Sequence, residues 1–332
     1  MTSEAASLHL ENFPNLVGAH CSSSAVRSVL AYDGLYISEA LAFGLGSGLG
    51  FFYNIEPEGS PTRRFNGRAP DLEGNFFRLA GQPLQWLGSW QPEAISQALA
   101  LKRPIIAQTD IYPIPYYDGA HFIGHGLVVV GLEGNIIKTA DIAAQELSEM
   151  PLEAFHAAIR EAYPPLNQPY HYAVCPVVRE IKLVEMVPEA LARTVLYMLE
   201  PPTPSEGLAG MLALLQDLPN WKDLPDLNWA ARFAYQAIEK RGTGGGNFRL
   251  LYADFIQELN LMMGFDPLLA QGFRQAAKMW SDLGVSFKEL AFCELDECER
   301  VVEGVLRDLG SIILLEENLF QAILEQLKHH QA

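Results

Sequence analysis

Basic residues are scarce in this chain. Its 23 lysines and arginines stand against 40 aspartates and glutamates, a net charge of −17 over 332 residues. Such a field repels phosphate backbones and anionic lipid surfaces, so nucleic acid and acidic membranes are not expected partners. It suits a cationic, amine-rich ligand, although solubility alone explains it equally well. Long apolar runs are also missing. The uncharged stretch 40–55 (ALAFGLGSGLGFFYNI) is too short for a bilayer span and is broken by glycine. The opening MTSEAASLHLENF has no basic segment leading into an apolar one, so no secretory signal is read there. Only four cysteines occur, at 21, 175, 293 and 298, without framework spacing. Reduced thiols and a cytoplasmic setting are therefore expected. Cys293 and Cys298 (CELDEC) lack a nearby histidine and a zinc spacing and read as helix-borne thiols, while Cys175 reads as core; no metal is expected.

What is present has two textures. Up to about residue 187, helices alternate with runs rich in Val, Ile and Tyr. The expected strands are 103–112, 124–132, 135–142, 171–178 and 181–187. The expected helices are 21–33, 38–45, 92–101 and 152–162. From Pro188 onward the periodicity is almost wholly helical, punctuated by PPTPSEG (201–207) and RGTGGG (241–246). The chain thus reads as an α+β domain over 1–187 followed by an all-helical domain over 188–332.

Chemistry concentrates on GAHCSSSAVRSVLAYDG, residues 18–34. Apolar residues at Ala25, Val26, Val29 and Leu30 mark a helix that stops near Asp33-Gly34, which puts Cys21 in its first turn. There the helix dipole and the N–H groups that lack intrahelical partners favour a thiolate and an oxyanion. A thiolate nucleophile needs a base, and the base needs an orienter. HFIGHGLVVVGLEGNIIKTADI reads as a hairpin turning at Glu133-Gly134-Asn135. With three loop residues, Asp141 falls opposite Leu127, diagonal to His125 and on its face of the sheet. A two- or four-residue loop puts them on opposite faces. His20 and His121 remain rivals for the base, and Asp110 and Asp118 for the orienter.

The order Cys, His, Asp, on a helix start and then consecutive strands, resembles papain-like enzymes. Residues 21–38, with Tyr32, Gly34 and Ser38, look like the cysteine region of bacteriocin-processing papain-like peptidases. In those enzymes a glutamine six residues before the cysteine helps form the oxyanion hole; Asn15 stands at that position here. A longer resemblance runs through GAHCSSSAVRSVLAYDGLYISEALAFGLGSGLGFFY, HFIGHGLVVVGL and RGTGGGNFRLLYADF, which are similar to the family named for butirosin biosynthesis protein H. Its named member moves an aminoacyl group from a carrier-protein thioester to an aminoglycoside amine. The resemblance implies a papain-like N-terminal domain and an acyltransferase of natural-product assembly, with Cys21 acylated and His125 as base. The implied donor is a phosphopantetheine-linked thioester on an acyl carrier protein or coenzyme A, with no bound cofactor, and the implied acceptor is a small amine. The rival readings are a papain-like hydrolase (peptidase or amidase) and a non-catalytic binding protein that keeps the fold.

Three further stretches carry expectations. FGLGSGLGFF (43–52) lacks a nucleotide-loop spacing and reads as close backbone packing. In RGTGGGNFR, Gly244, Gly245 and Gly246 ahead of a helix, flanked by Arg241 and Arg249, form a candidate nest for a phosphate or carboxylate; a plain linker is the alternative. RRFNGR (63–68) is the densest basic patch and a candidate dock for an acidic carrier. The C-terminal helices offer a surface for a homodimer.

Overall fold

The computed structural model describes residues 7–160 and 169–330. They form a mixed α+β protein that divides into two compact units, residues 1–42 with 70–186 and residues 43–69 with 187–332.

The first unit is built on a six-stranded antiparallel sheet. Its strands are β1 (Leu8–His9), β4 (Ile105–Asp110), β5 (Ile123–Glu133), β6 (Ile136–Ala140), β7 (Ser148–Pro151) and β8 (Tyr172–Val174). The order is β7-β6-β5-β4-β8, with β1 paired to β5. Every residue of β4 and most of β5 are buried. Residues 105–107 and 127–130 supply the apolar core of the pair, and the polar Gln108, Thr109 and Asp110 are buried at the end of β4. Helix α1 (Cys21–Tyr32) lies against β5, and α5 (Leu152–Arg160) against β4. Helices α3 (Leu72–Leu79) and α4 (Pro92–Ala100) complete the unit, α3 beside α1 and α4 beside β1, β5 and β8. Helix α1 ends where its sequence says it should. Gly34 takes φ +87°, and Leu35 N–H closes back on the Leu30 carbonyl at 2.8 Å. The close approach of α1 to β5 needs Gly126. A Cβ there would stand 3.0 Å from Ser22 Oγ and 3.2 Å from Ser22 Cα.

The second unit is a helical C-terminal part with one hairpin, β2 (Leu49–Ile55) and β3 (Arg63–Arg68). Helix α2 (Glu39–Leu45) leads into it. The helices are α6 (Leu183–Leu199), α7 (Gly207–Asp217), α8 (Leu227–Glu239), α9 (Arg249–Met263), α10 (Pro267–Leu290) and α11 (Leu295–His330). A short 3₁₀ helix joins α7 to α8. Helix α10 packs on α8, α9 and α11, with Trp280 fully buried. Among the described residues no helix is long and apolar enough to cross a membrane.

Several expectations change here. The compact unit holding the C-terminal helices also takes in 43–69, so a division at 187/188 does not separate the units and the second is not purely helical. IKLVEMV (181–187) enters α6 instead of a strand. Its alternating pattern is short, and the long apolar periodicity that follows recruits it. The end of the expected helix 152–162 lies outside the described residues. Cys293 and Cys298 are joined as a disulfide across the turn between α10 and α11, their Cα atoms 5.5 Å apart, and are not free thiols. Cys175 is core as expected, and burial pushes its thiol up to about 12.

Candidate active site

Cys21 is the first residue of α1. The turn before it is held by Glu39, whose Oε2 accepts Ala19 N–H at 3.0 Å and whose Oε1 accepts His20 N–H at 2.7 Å. His20 is the N-cap, its Nδ1 accepting from Ser23 N–H at 3.4 Å. This rival for the base is therefore spent on starting the helix. The CSSS run is buried because it faces β5 at close range. Ser22 Oγ accepts from Gln108 Nε2 and Ser23 Oγ donates to the His20 carbonyl, whereas Ser24 Oγ is buried without a hydrogen-bond partner among the described residues. Further along α1, Ser28 Oγ donates to the Ser24 carbonyl and accepts Leu16 N–H.

His125 sits on β5 and Asp141 directly follows β6. His125 Nε2 and Asp141 Oδ1 are 2.9 Å apart, and both side chains are buried. The register that unites them arises differently from the three-residue turn read in the sequence. The turn has two residues, Gly134 and Asn135, with Glu133 opposite Ile136. Alone, that would set the two side chains on opposite faces. A β-bulge between Val129 and Gly131 absorbs one residue, restoring Val128 opposite Ala140 and hence the expected alignment beyond. The bulge residue Val130 offers its carbonyl to Leu10 N–H at 2.8 Å, which ties the irregularity to the chain beside β1.

The electrostatics follow from these contacts. Burial disfavours a charged His125, but the Asp141 carboxylate and the Cys21 sulfur, each by charge and by hydrogen bond, lift its pKa to about 10. Burial works against the Asp141 carboxylate too, yet the His125 charge and hydrogen bonds from His125, Tyr117 and Ala143 N–H hold its pKa below the usual range. The arrangement sets the Cys21 sulfur, the His125 imidazole and the Asp141 carboxylate in sequence. Asp141 occupies Nε2, so Nδ1 is the ring nitrogen that serves the sulfur.

Two residues absent from the sequence reading complete the site. Tyr117 Oη donates to Asp141 Oδ1 at 2.9 Å and lies 3.1 Å from His125 Nε2. Tyr116 Oη donates to Asp141 Oδ2 at 3.0 Å and lies 3.2 Å from Thr139 Oγ1. The only sequence signal was an aromatic doublet in a proline-rich loop close to the histidine. Beneath the start of α1, Gln108 Nε2 donates to Ser22 Oγ and to the buried Glu73 carboxylate.

The remaining sequence candidates fall elsewhere. His121 Nδ1 and Asp110 Oδ2 pair with each other at 2.6 Å, with His121 largely in solvent; Asp118 is exposed. Asn15 borders the small space behind Cys21, but its amide donates to the Asp141, Ala144 and Glu146 carbonyls, tying down the loop after β6. The glycine nest also reads differently. Gly245 N–H goes to Thr243 Oγ1, Gly246 N–H to the Glu239 carboxylate and Asn247 N–H to the Ile238 carbonyl. Gly244 is exposed with φ +66°. A Cβ on Gly246 would reach 2.6 Å from the Ala277 carbonyl oxygen, so this glycine serves close packing on α10. Arg249 is fully buried against Glu316, Nε to Oε1 at 2.7 Å and Nη2 to Oε2 at 2.8 Å. An arginine so engaged holds no external anion. Gly44 and Gly50 of the earlier glycine run likewise make room, for Phe255 and for the Ala69 backbone. The basic patch is neutralised within its own unit, Arg63 by Asp217 and Arg64 by Glu56, with Arg68 buried.

Two family models match the chain. Residues 20–141 match the N-terminal domain of butirosin biosynthesis protein H, and residues 156–323 match a domain of unknown function (DUF4872). No curated protein matches. The second model spans half of the chain, so the chain belongs to the family of that C-terminal domain, and its stretch from α1 through Asp141 is similar to the N-terminal domain of butirosin biosynthesis protein H.

Proposed function

We propose that this protein is an acyltransferase of natural-product biosynthesis, built on a papain-like domain, that carries an acyl group on Cys21 from a thioester donor to an amine. The observation behind this reading is the Cys21–His125–Asp141 arrangement at a helix start, with His125 between the Cys21 sulfur on one side and the Asp141 carboxylate on the other. The helix, the antiparallel sheet and the order of the three residues support the papain-like assignment. The matched N-terminal family supports the biosynthetic setting.

In the first half-reaction Cys21 Sγ attacks the thioester carbonyl carbon. The carbonyl electron pair moves onto oxygen beside the positive end of α1. Collapse breaks the bond to the donor sulfur, which takes the Nδ1 proton of His125 and leaves as a thiol. In the second, the amine attacks the acyl-cysteine and Nδ1 accepts its proton. Collapse then releases the amide and returns the thiolate–imidazolium pair. With Asn15 engaged by three carbonyls, the helix end carries the oxyanion in this scheme. The donor is a phosphopantetheine-type thioester, presented by a carrier protein or coenzyme A. Gly244–Gly246 and Arg249 have no part in holding it.

The test is intact-protein mass after incubation with a panel of acyl-pantetheine thioesters, wild type beside Cys21→Ala. The expected result is a mass gain confined to wild type and discharged faster by amines than by water. Discharge by water alone would make the protein a hydrolase. No adduct with any thioester, together with a Cys21 that alkylates no faster than Cys175 in the folded protein, would remove the mechanism.

A further inference from the structure

We propose that Tyr116 and Tyr117 are positioning residues that pin a proton on His125 Nε2 throughout the reaction, so that only Nδ1 exchanges protons with sulfur and amine. The inference rests on the proposed roles of Cys21 and His125 and adds a device those roles require. Once His125 has protonated the departing thiol it is a neutral ring with two available tautomers. Only the Nε2–H form leaves Nδ1 ready to accept the proton of the amine.

The geometry selects that form. The Nε2–H points at two acceptors, Asp141 Oδ1 at 2.9 Å and Tyr117 Oη at 3.1 Å. Tyr117 can accept there because its own proton goes to Asp141 Oδ1 at 2.9 Å. Tyr116 fixes the other carboxylate oxygen at 3.0 Å, which stops the carboxylate from rotating away. Asp141 therefore has a fixed partner on each oxygen, and the Tyr117 ring stands edge-on to the imidazole, 5.3 Å between centroids. Burial and the Asp141 charge raise the pKa of both hydroxyls, so both remain donors throughout the working pH range. The charged and titratable groups facing His125 are Asp141 after β6 and Cys21 on α1, with Tyr117 from the loop.

The loop that presents the tyrosines is itself built for placement. It joins β4 to β5, and Asp110 closes its neck. Asp110 Oδ1 accepts Tyr112 N–H at 3.2 Å and Phe122 N–H at 2.9 Å, while Oδ2 holds His121. Ile114 is buried as its anchor, and Tyr117 N–H turns back onto the Ile114 carbonyl at 3.1 Å. The Asp110–His121 pair, a rival active-site pair in the sequence, thus has a place in holding the clamp.

The experiment uses ¹⁵N-imidazole-labelled protein carrying Cys21→Ala, at a pH where His125 is neutral. Its spectra report the tautomer without any need for acyl transfer. The Nε2–H form should dominate, and adding Tyr117→Phe should raise the Nδ1–H population about tenfold, the effect of losing one hydrogen bond within a charged group's shell. Tyr116→Phe should act in the same direction more weakly. With Cys21 present, Tyr117→Phe should lower kcat about tenfold at unchanged KM, and Tyr112→Phe on the same loop should change neither. If both phenylalanine variants keep the wild-type tautomer ratio and kcat, the inference is overturned. If the tautomer moves but no thioester acylates Cys21, the clamp stands and the transfer reading fails. Tyr116→Phe carries the test should Tyr117→Phe not fold.

Discussion

Each unit buries an ion pair, and the two pairs are built to opposite ends. In the second unit Arg249 and Glu316 have no exposure, and the contacts around them close on themselves. Arg249 Nη1 donates to the carbonyls of Gly50, Gly67 and Asn247, and Trp280 Nε1 donates to Glu316 Oε1 at 2.7 Å. In the first unit His125 and Asp141 are as deeply buried, but one ring nitrogen is kept for Cys21. A buried charge whose valences are all met within the core is architecture. One that leaves a single valence directed at a cysteine sulfur is what the proposed mechanism requires. Burial and pairing alone do not distinguish them.

The comparison can be broken most decisively at Asp141. Asp141→Asn should lower the rate of acyl transfer by on the order of 10²–10⁴, because the imidazolium loses its charge partner and the ring its fixed tautomer. Single-turnover kinetics beside a thermal melt check this, and an unchanged rate would demote the pair to architecture. The converse holds for the second unit. Arg249→Met alone should cost about 3–5 kcal/mol in urea unfolding by stranding Glu316, and adding Glu316→Leu should recover much of that loss. Cys21 alkylation in the folded fraction should stay at the wild-type rate in both variants. Equal losses for the single and double variants would contradict the closed-network account.

The pH dependence sharpens the contrast more gently. His125 binds its proton more tightly folded than unfolded, so its contribution to stability is complete below its usual 6.5 and fades as pH rises through about 10. Asp141, depressed by folding, contributes above the ordinary carboxylate range and loses that contribution as pH falls into the acid. The melting temperature should therefore be highest between these limbs, and His125→Gln should flatten the alkaline limb specifically. The smallest effect belongs to the half-exposed pair of Arg64 with Glu56. Arg64→Ala should change stability by less than about 1 kcal/mol and leave acylation from a carrier-bound thioester unaltered, which calorimetry and the mass assay would check. A large loss with the carrier-bound donor only would return the basic patch to consideration as a dock.

Much of this was legible because it is local. The cysteine at a helix start, the Asp33-Gly34 stop and the strand character around His125 all depend on neighbours within a few residues. So do most of the elements of the first unit and the helical run after Pro188. Helix 72–79 and the hairpin 49–55/63–68 escaped notice because glycine and charged residues mask their patterns, and the partners that stabilise them are distant in sequence. Arg249 shows the limit clearly. Beside three glycines it reads as an anion ligand, and nothing nearby reveals that Glu316, 67 residues away, already occupies it.

By itself the sequence singled out Cys21, His125 and Asp141 as candidates and the kind of element that carries each of them, since residue type and short-range periodicity suffice for that much. It assigned no role to Tyr116 or Tyr117. Tertiary structure decided which of them meet. A two-residue turn would have parted His125 from Asp141, and a bulge opposite β6 reunited them. Two tyrosines from a loop then closed around the pair. Strand register and loop placement are set by the summed pairing and burial of residues far apart in the chain, and no local pattern encodes that sum.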